Sequence, residues 1–241
     1  MSEASRPFLT AQWRNLILVS YAVDPACIID LVPAGTTLDS WRGKSFVSLV
    51  GFQFRDTKVL GAPVPFHQLF EEVNLRFYVR REMEDGVRTG VVFIRELVPR
   101  PVVGGMARLL YREPYLVLPM RSAVTEEPAP EVEYQWNTTG RWCTLAGRCT
   151  GDGAPPLSGS LEEFLTIRHW GYNGEPGKAT LEYRVDHPPW RVWHAAGVRV
   201  DYNAEALCGG AVAHQLGRAP MSQLIADGSA VTIHWRTQIT G

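Results

Sequence analysis

The chain has 241 residues, of which 45% are hydrophobic, so it has the size and composition of an ordinary globular protein. Its 24 basic and 25 acidic residues leave a net charge of -1, which excludes a broad electrostatic attraction to nucleic acid or to an anionic membrane. The first residues lack the apolar core of a signal peptide and no run of eighteen apolar residues occurs, so we expect a soluble cytoplasmic protein.

Six segments are predicted to be β-strands because they are rich in Val, Ile, Phe, Tyr and Trp and are bounded by Gly, Pro or Asp turns. In chain order they are residues 13–23, 44–54, 70–82, 87–98, 180–185 and 229–239. Residues 44–54 are apolar on both faces, with Phe46 and Phe52 on one side and Val47 and Leu49 on the other, so we expect a central strand. The pattern predicts an α+β, predominantly antiparallel β fold, in a single domain over residues 1–241.

The segment 70–82, FEEVNLRFYVRRE, alternates apolar and polar side chains, which is typical of a half-buried strand. Its polar face carries Glu72, Asn74, Arg76, Tyr78 and Arg80. Neighbours on one face of a strand lie about 6 to 7 Å apart, so Glu72, Asn74 and Arg76 can present an acid, an amide and a guanidinium to one small carboxylate or carbonyl compound. The alternative is that this face is simply solvated, as one face of an antiparallel sheet often is.

The clearest helix is predicted at residues 160–170, SLEEFLTIRHW. Ser160 and Glu163 stand three positions apart, which is the spacing of a capping box, and the apolar face that follows should dock on the sheet.

A second helix is predicted within residues 101–115, where Pro114 ends a pattern of helical spacing. Arg112 and Glu113 come just before that proline. If exposed, they form a salt bridge worth less than about 1 kcal/mol. If buried, they have to be paired, because an uncompensated charge costs several kcal/mol inside a protein.

Three further segments are predicted to be connections. The acidic, proline-rich residues 124–133 predict a solvated link rather than a domain boundary. The triplet Asn137-Thr138-Thr139 matches a glycosylation acceptor, but without secretion it is better explained as a turn. Residues 186–195, DHPPWRVWHA, predict a rigid aromatic turn, for which a hydrophobic plug is favoured over a ligand contact.

The usual sequence signatures of catalysis are absent. The chain has no G-x-S-x-G, HExxH, Walker or GxGxxG motif. It therefore lacks the motifs that usually indicate a hydrolase, a metalloprotease, an NTPase or a Rossmann-fold enzyme. The four cysteines are scattered and are interpreted as reduced, mostly buried thiols. The six histidines are never closer than seven residues, so we expect no metal site and no cofactor.

Several sequence blocks, taken in order, resemble the YqjF-like family of uncharacterised proteins. The blocks are WRNLILVSY, PAGTTLDSWRGKSFVSLVGFQF, FEEVNLRFYVR, GVVFIRELV, LEEFLTIRHWGY and DHPPW. Each is a loose pattern, but their order and spacing are specific and cover nearly the whole chain. That family looks like a distant branch of the acetoacetate decarboxylase-like superfamily. The resemblance implies a β-rich barrel or cone with a few peripheral helices around a small-molecule cavity, into which Glu72, Asn74 and Arg76 would face.

The resemblance also bears on the chemistry. Acetoacetate decarboxylases use a lysine, activated by burial beside a second cation, to form a Schiff base with a keto acid. In them paired lysines follow a Gly-Gly segment by about eight residues, whereas here Gly104-Gly105 is followed at that offset by Arg112-Glu113-Pro114. Arginine stays protonated and cannot form an imine. The three lysines, Lys44, Lys58 and Lys178, lie in segments that are predicted to be solvated, so imine-forming decarboxylation is not expected.

We therefore expect a protein that binds a keto or carboxylate compound without Schiff-base catalysis. If it is an enzyme, which the sequence leaves open, its chemistry is lyase- or hydrolase-like, with Glu72 as the catalytic acid or base. The expected ligand-binding residues are Asn74, Arg76, Tyr78, Arg112 and Glu113. The alternative is a non-enzymatic ligand sensor or interaction module with a plugged cavity. We expect no nucleic-acid or membrane partner, and a homo-oligomer is compatible with the sequence.

Overall fold

The computed structural model describes residues 7–65, 68–101, 113–126, 130–174 and 179–239. The helix predicted within residues 101–115 falls largely outside these ranges, and so does Arg112.

Fifteen strands run through the described residues. They are β1 (Pro7–Val23), β2 (Thr37–Leu38), β3 (Ser45–Val59), β4 (Ala62–Pro63), β5 (Leu69–Met83), β6 (Gly86–Val98), β7 (Tyr115–Val117), β8 (Met120–Thr125), β9 (Glu131–Thr138), β10 (Arg141–Ala154), β11 (Trp170–Asn173), β12 (Thr180–Asp186), β13 (Val192–Asp201), β14 (Ser222–His234) and β15 (Thr237–Ile239). Helices are short: α1 (Leu161–Thr166), α2 (Ala204–Cys208) and α3 (Gly210–Leu216), with 3-10 turns at Pro25–Cys27 and Ile29–Leu31. No helix in this part of the chain has the length and apolar character needed to cross a membrane.

The strands form one mixed sheet. Its order is β15-β12-β11-β6-β5-β3-β1-β14-β13-β10-β9-β8, and only the β6–β11 and β6–β7 pairs among those described are parallel. Strand β12 also pairs with β14, where Val185 lies opposite Ile233. The hydrogen-bonded path from β12 through β5 and β3 to β14 therefore returns to β12. The predicted mostly antiparallel β class is confirmed at this level.

Strand β3 is the central strand that its apolar pattern predicts. Every residue from Ser45 to Phe54 is buried. Val47 and Leu49 belong to one hydrophobic cluster and Phe46 to a second cluster on the other face. Burial on both faces explains why this strand has a continuous apolar run instead of an alternation.

Strand β5 is buried on both faces as well, although one face is polar. The apolar side chains of this strand enter the core cluster that contains Val47 and Leu49. On the opposite face Glu72 and Asn74 are each 2% exposed, Arg76 is 7% exposed and Tyr78 is fully buried. The alternative of a solvated face is therefore wrong for these four residues, and it holds only from Arg80 onward.

Helix α1 begins with the capping arrangement that the sequence predicts, in a modified form. The Ser160 hydroxyl accepts a hydrogen bond from the Glu163 backbone N–H at 3.1 Å. The Glu163 carboxylate accepts from the backbone N–H of Gly159, at 2.6 Å, instead of from the N-cap residue itself. The Phe164 ring lies 5.1 Å from the Tyr78 ring, so the apolar face docks on β5 as predicted.

The sequence analysis missed several strands, among them β8, β9, β10 and β13. The link predicted over residues 124–133 is wrong at both ends, because Val124 and Thr125 belong to β8 and residues 131–133 to β9, and residues 127–129 lie outside the described ranges. The turn expected at Asn137-Thr138-Thr139 is confirmed: Thr139 and Gly140 have φ of 52° and 89°, and the Asn137 side chain accepts from the Gly140 N–H. The aromatic turn predicted over residues 186–195 is shorter in the structure, because β12 ends at Asp186 and β13 begins at Val192.

Candidate functional site

A cavity of about 80 Å³ lies against the polar face of β5. Glu72, Asn74 and Arg76 line it together, because residues two apart on a strand project to the same side. A second part of the wall is aromatic and includes Trp13 and Trp190. The structure therefore brings the three predicted polar side chains together at one enclosed space.

A β-bulge brings a further carboxyl group to this cavity. Asn74 pairs with Glu96 of β6, but the register shifts by one residue before Arg76, which pairs with Phe93. Because the bulge inserts one residue, Phe93 and Glu96 both line the cavity although they are three positions apart. Strand β7 then runs parallel to β6 and places Tyr115 opposite Glu96.

Glu72 is held by two neighbours. Its Oε1 accepts a hydrogen bond from the Asn74 side-chain amide at 3.0 Å, and its Oε2 accepts from the Tyr115 hydroxyl at 3.1 Å. Both bonds stabilise the ionised carboxylate, but burial acts against them. Burial is the larger effect and raises the pKa of Glu72 from 4.5 to about 7, while the hydrogen bonds and Arg76 lower it in part.

Two more buried carboxyl groups complete the cluster. Glu113, 5% exposed, accepts from the Tyr183 hydroxyl at 2.8 Å and from the Asn173 amide at 3.0 Å. Burial, with the charge of Glu72 as a smaller cause, raises the pKa of Glu113 to about 8 although Tyr183 and Asn173 lower it in part, and burial raises the pKa of Glu96 well above its usual range. The charge of Glu113 contributes to the raised pKa of Glu96, and the Tyr115 hydroxyl lowers that pKa in part.

Arg76 is a buried cation without an acid in contact among the residues that the structure describes. Its Nη2 donates to the backbone oxygen of Leu165 at 3.1 Å, and its Cζ lies 5.8 Å from the centre of the Tyr78 ring. In the described residues no carboxylate oxygen lies within 4.0 Å of its nitrogens. Four buried atoms of cavity-lining residues also have no hydrogen-bond partner among the described residues: Trp13 Nε1, Asn74 Oδ1, Arg76 Nε and Glu96 Oε2.

The second arginine of the cavity is already neutralised. Arg168, just after α1, donates to Asp39 at 2.6 Å, and both side chains are largely buried. Its Nε also donates to the backbone oxygen of Phe164 at 2.6 Å. Arg76 is therefore the arginine of this wall whose charge is left for another anion.

The predicted aromatic turn contributes to the wall as well. His187 and Trp190 both line the cavity, and their rings stack at 4.5 Å. Burial lowers the pKa of His187, so its neutral form is favoured. The indole N–H of Trp190 donates to Ser229 at 2.9 Å. The segment is thus both a hydrophobic wall and a surface that faces the cavity.

Not every predicted site residue has a place on the cavity wall. Tyr78 does not line the cavity: its hydroxyl bonds to Ser48 at 2.6 Å, the centre of its ring lies 5.8 Å from Arg76 Cζ, and its predicted ligand contact stays a prediction. Glu113 does not line the cavity either. It accepts a hydrogen bond from Tyr183, which does line it. Arg112 lies outside the described residues, so its expected salt bridge with Glu113 has no description.

The lysines that the structure describes lie away from this site. Lys44 and Lys58 are exposed, as predicted, and neither lines the cavity. Lys178 lies outside the described residues.

In the described ranges, no group of three or more His, Cys, Asp or Glu side chains is arranged to hold a metal ion. The four cysteines are free thiols, two of them buried.

Comparison with known sequences identifies the family. Residues 10–229 match the family DUF2071, described as "Uncharacterized conserved protein". The chain is also 26% identical over 184 residues to the uncharacterised protein YqjF of Bacillus subtilis (strain 168), covering 76% of this chain and 74% of that protein. The resemblance found in the sequence blocks is thereby confirmed.

Solved structures of similar fold come from the acetoacetate decarboxylase-like group. The acetoacetate decarboxylase of Legionella pneumophila matches with a TM-score of 0.66 at 11% identity, over 100% of this chain and 90% of that one. An acetoacetate decarboxylase-like enzyme from Sphingomonas wittichii RW1 matches with 0.65 at 14%, over 99% and 95%. The enduracididine biosynthesis enzyme MppR, in complex with a condensation product of pyruvate and imidazole 4-carboxaldehyde, matches with 0.65 at 12%, over 97% and 90%. At these identities the likeness concerns the fold alone.

Proposed function

The chain belongs to the DUF2071 family, and we propose that it binds a small keto or carboxylate compound in the cavity beside β5. One observation carries the proposal. Arg76 is buried on the cavity wall and has no carboxylate in contact among the described residues. A buried charge without a partner costs several kcal/mol, so an anion that enters the cavity and contacts Arg76 recovers part of that cost.

The neighbouring groups define the rest of the ligand. Asn74 already donates to Glu72, and its unpaired Oδ1 offers an acceptor to the cavity. Trp13 and Trp190 supply an apolar wall, which suits the carbon skeleton of the compound. A space of about 80 Å³ suits only a few non-hydrogen atoms, so the proposed ligand is a short-chain compound.

Neighbours of similar fold support the same class of ligand. The MppR structure contains a product formed from pyruvate, which is a keto acid. The return of the sheet on β12 supports the barrel or cone expected around such a cavity, and the single sheet supports one domain.

We further propose that any reaction in this cavity proceeds without a lysine imine. The exposure of Lys44 and Lys58 and their absence from the wall support this. Glu72 is then the acid or base, because its pKa of about 7 lets it gain or lose a proton near neutral pH. The chemistry expected is lyase- or hydrolase-like.

The test is a thermal-shift screen of short carboxylates and keto acids, followed by calorimetry on the compounds that stabilise the protein. Arg76→Ala should weaken binding by about thirtyfold or more, since truncating one partner of a buried charge pair costs about 2 to 5 kcal/mol. Arg80→Ala is the matched control, because Arg80 lies on the same strand but is exposed. Unchanged affinity in the Arg76 variant would remove the assignment.

A second candidate is a sensor or interaction module whose cavity is filled by its own side chains. The size of the cavity favours it, because about 80 Å³ is small beside the roughly 300 to 1,000 Å³ of typical ligand pockets. This candidate predicts that no compound in the screen raises the melting temperature of the wild-type protein. It also predicts a crystal structure in which the aromatic wall closes the remaining space.

A further inference from the structure

We propose that His187 is a specificity-determining residue of the cavity, which becomes a cation when an anion pairs with Arg76. His187 is 9% exposed and lines the same cavity as Arg76. Its ring nitrogens contact the protein backbone, so its charge, and not a hydrogen bond, acts on the ligand. The inference deepens the proposed function and rests on it for the anion.

Both nitrogens of the His187 ring face backbone carbonyl oxygens. Nδ1 lies 3.0 Å from the oxygen of Pro188, and Nε2 lies 3.3 Å from the oxygen of Arg168. A carbonyl oxygen only accepts, and a neutral imidazole has a single N–H, so the neutral ring can donate to only one of the two oxygens. The imidazolium has an N–H on each nitrogen and can donate to both. The surroundings of the ring nitrogens therefore suit a protonated histidine.

The ring and its acceptors are held in place. The Trp190 ring stacks on His187 with the ring centroids 4.5 Å apart, and the Trp190 N–H donates to Ser229. Arg168, which supplies one of the two carbonyl oxygens, is bound through its side chain to Asp39. Because these contacts fix the ring, a change in the charge around His187 alters its protonation and leaves its position unchanged.

In the ligand-free protein other effects oppose the proton. Burial is the largest cause that lowers the pKa of His187, and the charges of His169 and Arg76 lower it further. The two carbonyl oxygens raise it in part. The His169 ring lies 5.1 Å from the His187 ring, and the uncharged ring of Trp13 on β1 lies at 6.3 Å. The empty cavity therefore favours a neutral ring whose second carbonyl oxygen receives no proton.

Arg76 is the neighbouring charge that a ligand can change. The charged and titratable groups that face the ring or share its cavity are Arg76, Glu72 and Glu96 of the wall, Arg168 and His169 after α1, and Asp186 directly before the ring in the chain. Arg168 is neutralised by Asp39, and Asp186 is occupied by His234 and Arg184. Glu72 and Glu96 favour the cation only when they are ionised.

An anion that pairs with Arg76 reverses this balance. It offsets the guanidinium charge that opposes the proton, and it attracts the imidazolium, since the ring forms part of the same wall. The proton that His187 gains then serves the second carbonyl oxygen. A neutral compound of the same shape produces neither effect. The site therefore selects carboxylates over neutral analogues, and does so more strongly at lower pH.

Nitrogen NMR on protein with ¹⁵N in its histidine rings measures this proton, because protonation shifts the ring nitrogens. The His187 signals are identified by the contact of the ring with Trp190. In the ligand-free protein, titrated from pH 5 to 8, Arg76→Gln should raise the pKa of His187 by about half a pKa unit or more, because it removes a like charge. Arg80→Gln is the control, since Arg80 is exposed on the same strand, and it should leave that pKa unchanged.

A second arm uses the wild type, so it needs no variant to fold. Saturating acetate should raise the pKa of His187 by a similar amount, because the carboxylate offsets the charge of Arg76. Acetamide is the matched neutral probe and should leave the pKa of His187 where it is in the ligand-free protein.

The outcomes separate this inference from the proposed function. If calorimetry shows that acetate binds but the pKa of His187 does not rise, the inference is overturned and the ligand site remains. An unchanged pKa in Arg76→Gln also overturns it, because the two cations would then not be coupled. A raised pKa in Arg76→Gln, with no binding of acetate or of any compound in the thermal-shift screen, would instead remove the proposed function.

Discussion

The buried carboxyl groups should make the protein less stable as the pH rises from 5 to 8, and Glu72→Gln should remove part of that loss. The pKa of Glu72 is about 7 in the folded chain, whereas an unfolded glutamate ionises near 4.5. Between these values the folded state binds more protons than the unfolded state. By linkage, the contribution of Glu72 to the free energy of unfolding therefore falls as the pH rises through this window and levels off above pH 7, whereas the contributions of Glu113 and Glu96 continue to fall.

The magnitude follows from the displacement of the pKa. A change from 4.5 to about 7 corresponds to roughly 3 kcal/mol at about 1.4 kcal/mol per pKa unit. Glutamine cannot ionise, so the free energy of unfolding of the Glu72→Gln variant does not fall by this amount as the pH rises. It also removes one negative charge that raises the pKa values of Glu96 and Glu113, which flattens the curve further. At pH 5 the variant should lie within about 1 kcal/mol of the wild type, since one hydrogen bond to residue 72 is weakened.

Urea denaturation at a series of pH values, followed by circular dichroism, measures the effect. Glu71→Gln is the control, because it removes the same charge one position along, from a residue that contacts Ser122 and does not line the cavity. The control should keep the slope that the cavity carboxyl groups produce. Parallel curves for wild type and Glu72→Gln between pH 5 and 8 would refute the reasoning.

Two further substitutions test the walls of the site. Gly171→Ala should destabilise the fold by about 1 to 3 kcal/mol in chemical denaturation, because an added Cβ would overlap the Tyr183 ring. Asp39→Asn should cost about 3 to 5 kcal/mol, because it leaves the buried guanidinium of Arg168 without its acid.

Each of these has a control elsewhere in the chain. Gly210→Ala adds the same methyl group where no atom outside its own turn lies closer than 3.9 Å, so it should change stability far less than the cavity variant. Asp201→Asn breaks an ion pair with Arg141 in which both side chains are more than half exposed, so it should cost less than about 1 kcal/mol. If a variant and its control lost the same free energy of unfolding, the local contacts described here would not explain the destabilisation.

Local periodicity explains what the sequence could predict. Strands β3 and β5 and the capped start of α1 depend on patterns within about ten residues, and the structure confirms all three. The shared face of Glu72, Asn74 and Arg76 was predicted for the same reason, whereas their orientation toward a cavity was implied only by the family resemblance. Strand β9 also carries this periodic signal, because Val132, Tyr134 and Trp136 alternate with polar residues and are buried. The acidic, proline-rich residues before it instead led to the prediction of a connection over residues 124–133.

Glu96 shows why the rest of the site was missed. Val91 and Phe93 line the cavity, and a strict period of two from them would place Arg95 there as well. The β-bulge shifts the alternation, so Glu96 enters the cavity wall and Arg95 donates instead to the backbone oxygen of Leu207. A bulge depends on the pairing with β5 and leaves no signature in the residues of β6 alone.

The charges of the site also explain why its two halves differ in kind. Glu72, Glu96 and Glu113 can each lower the cost of burial by taking up a proton, and their raised pKa values are the sign of this. Arg76 has no such route, because a guanidinium stays protonated in proteins. An excess of buried acid is therefore relieved by protons from water, whereas the buried cation can be matched only by an anion. The site therefore combines carboxyl groups that can carry protons with an arginine that calls for an anion. A keto acid has both matching parts, a carbonyl oxygen that can accept a proton and a carboxylate that can pair with Arg76.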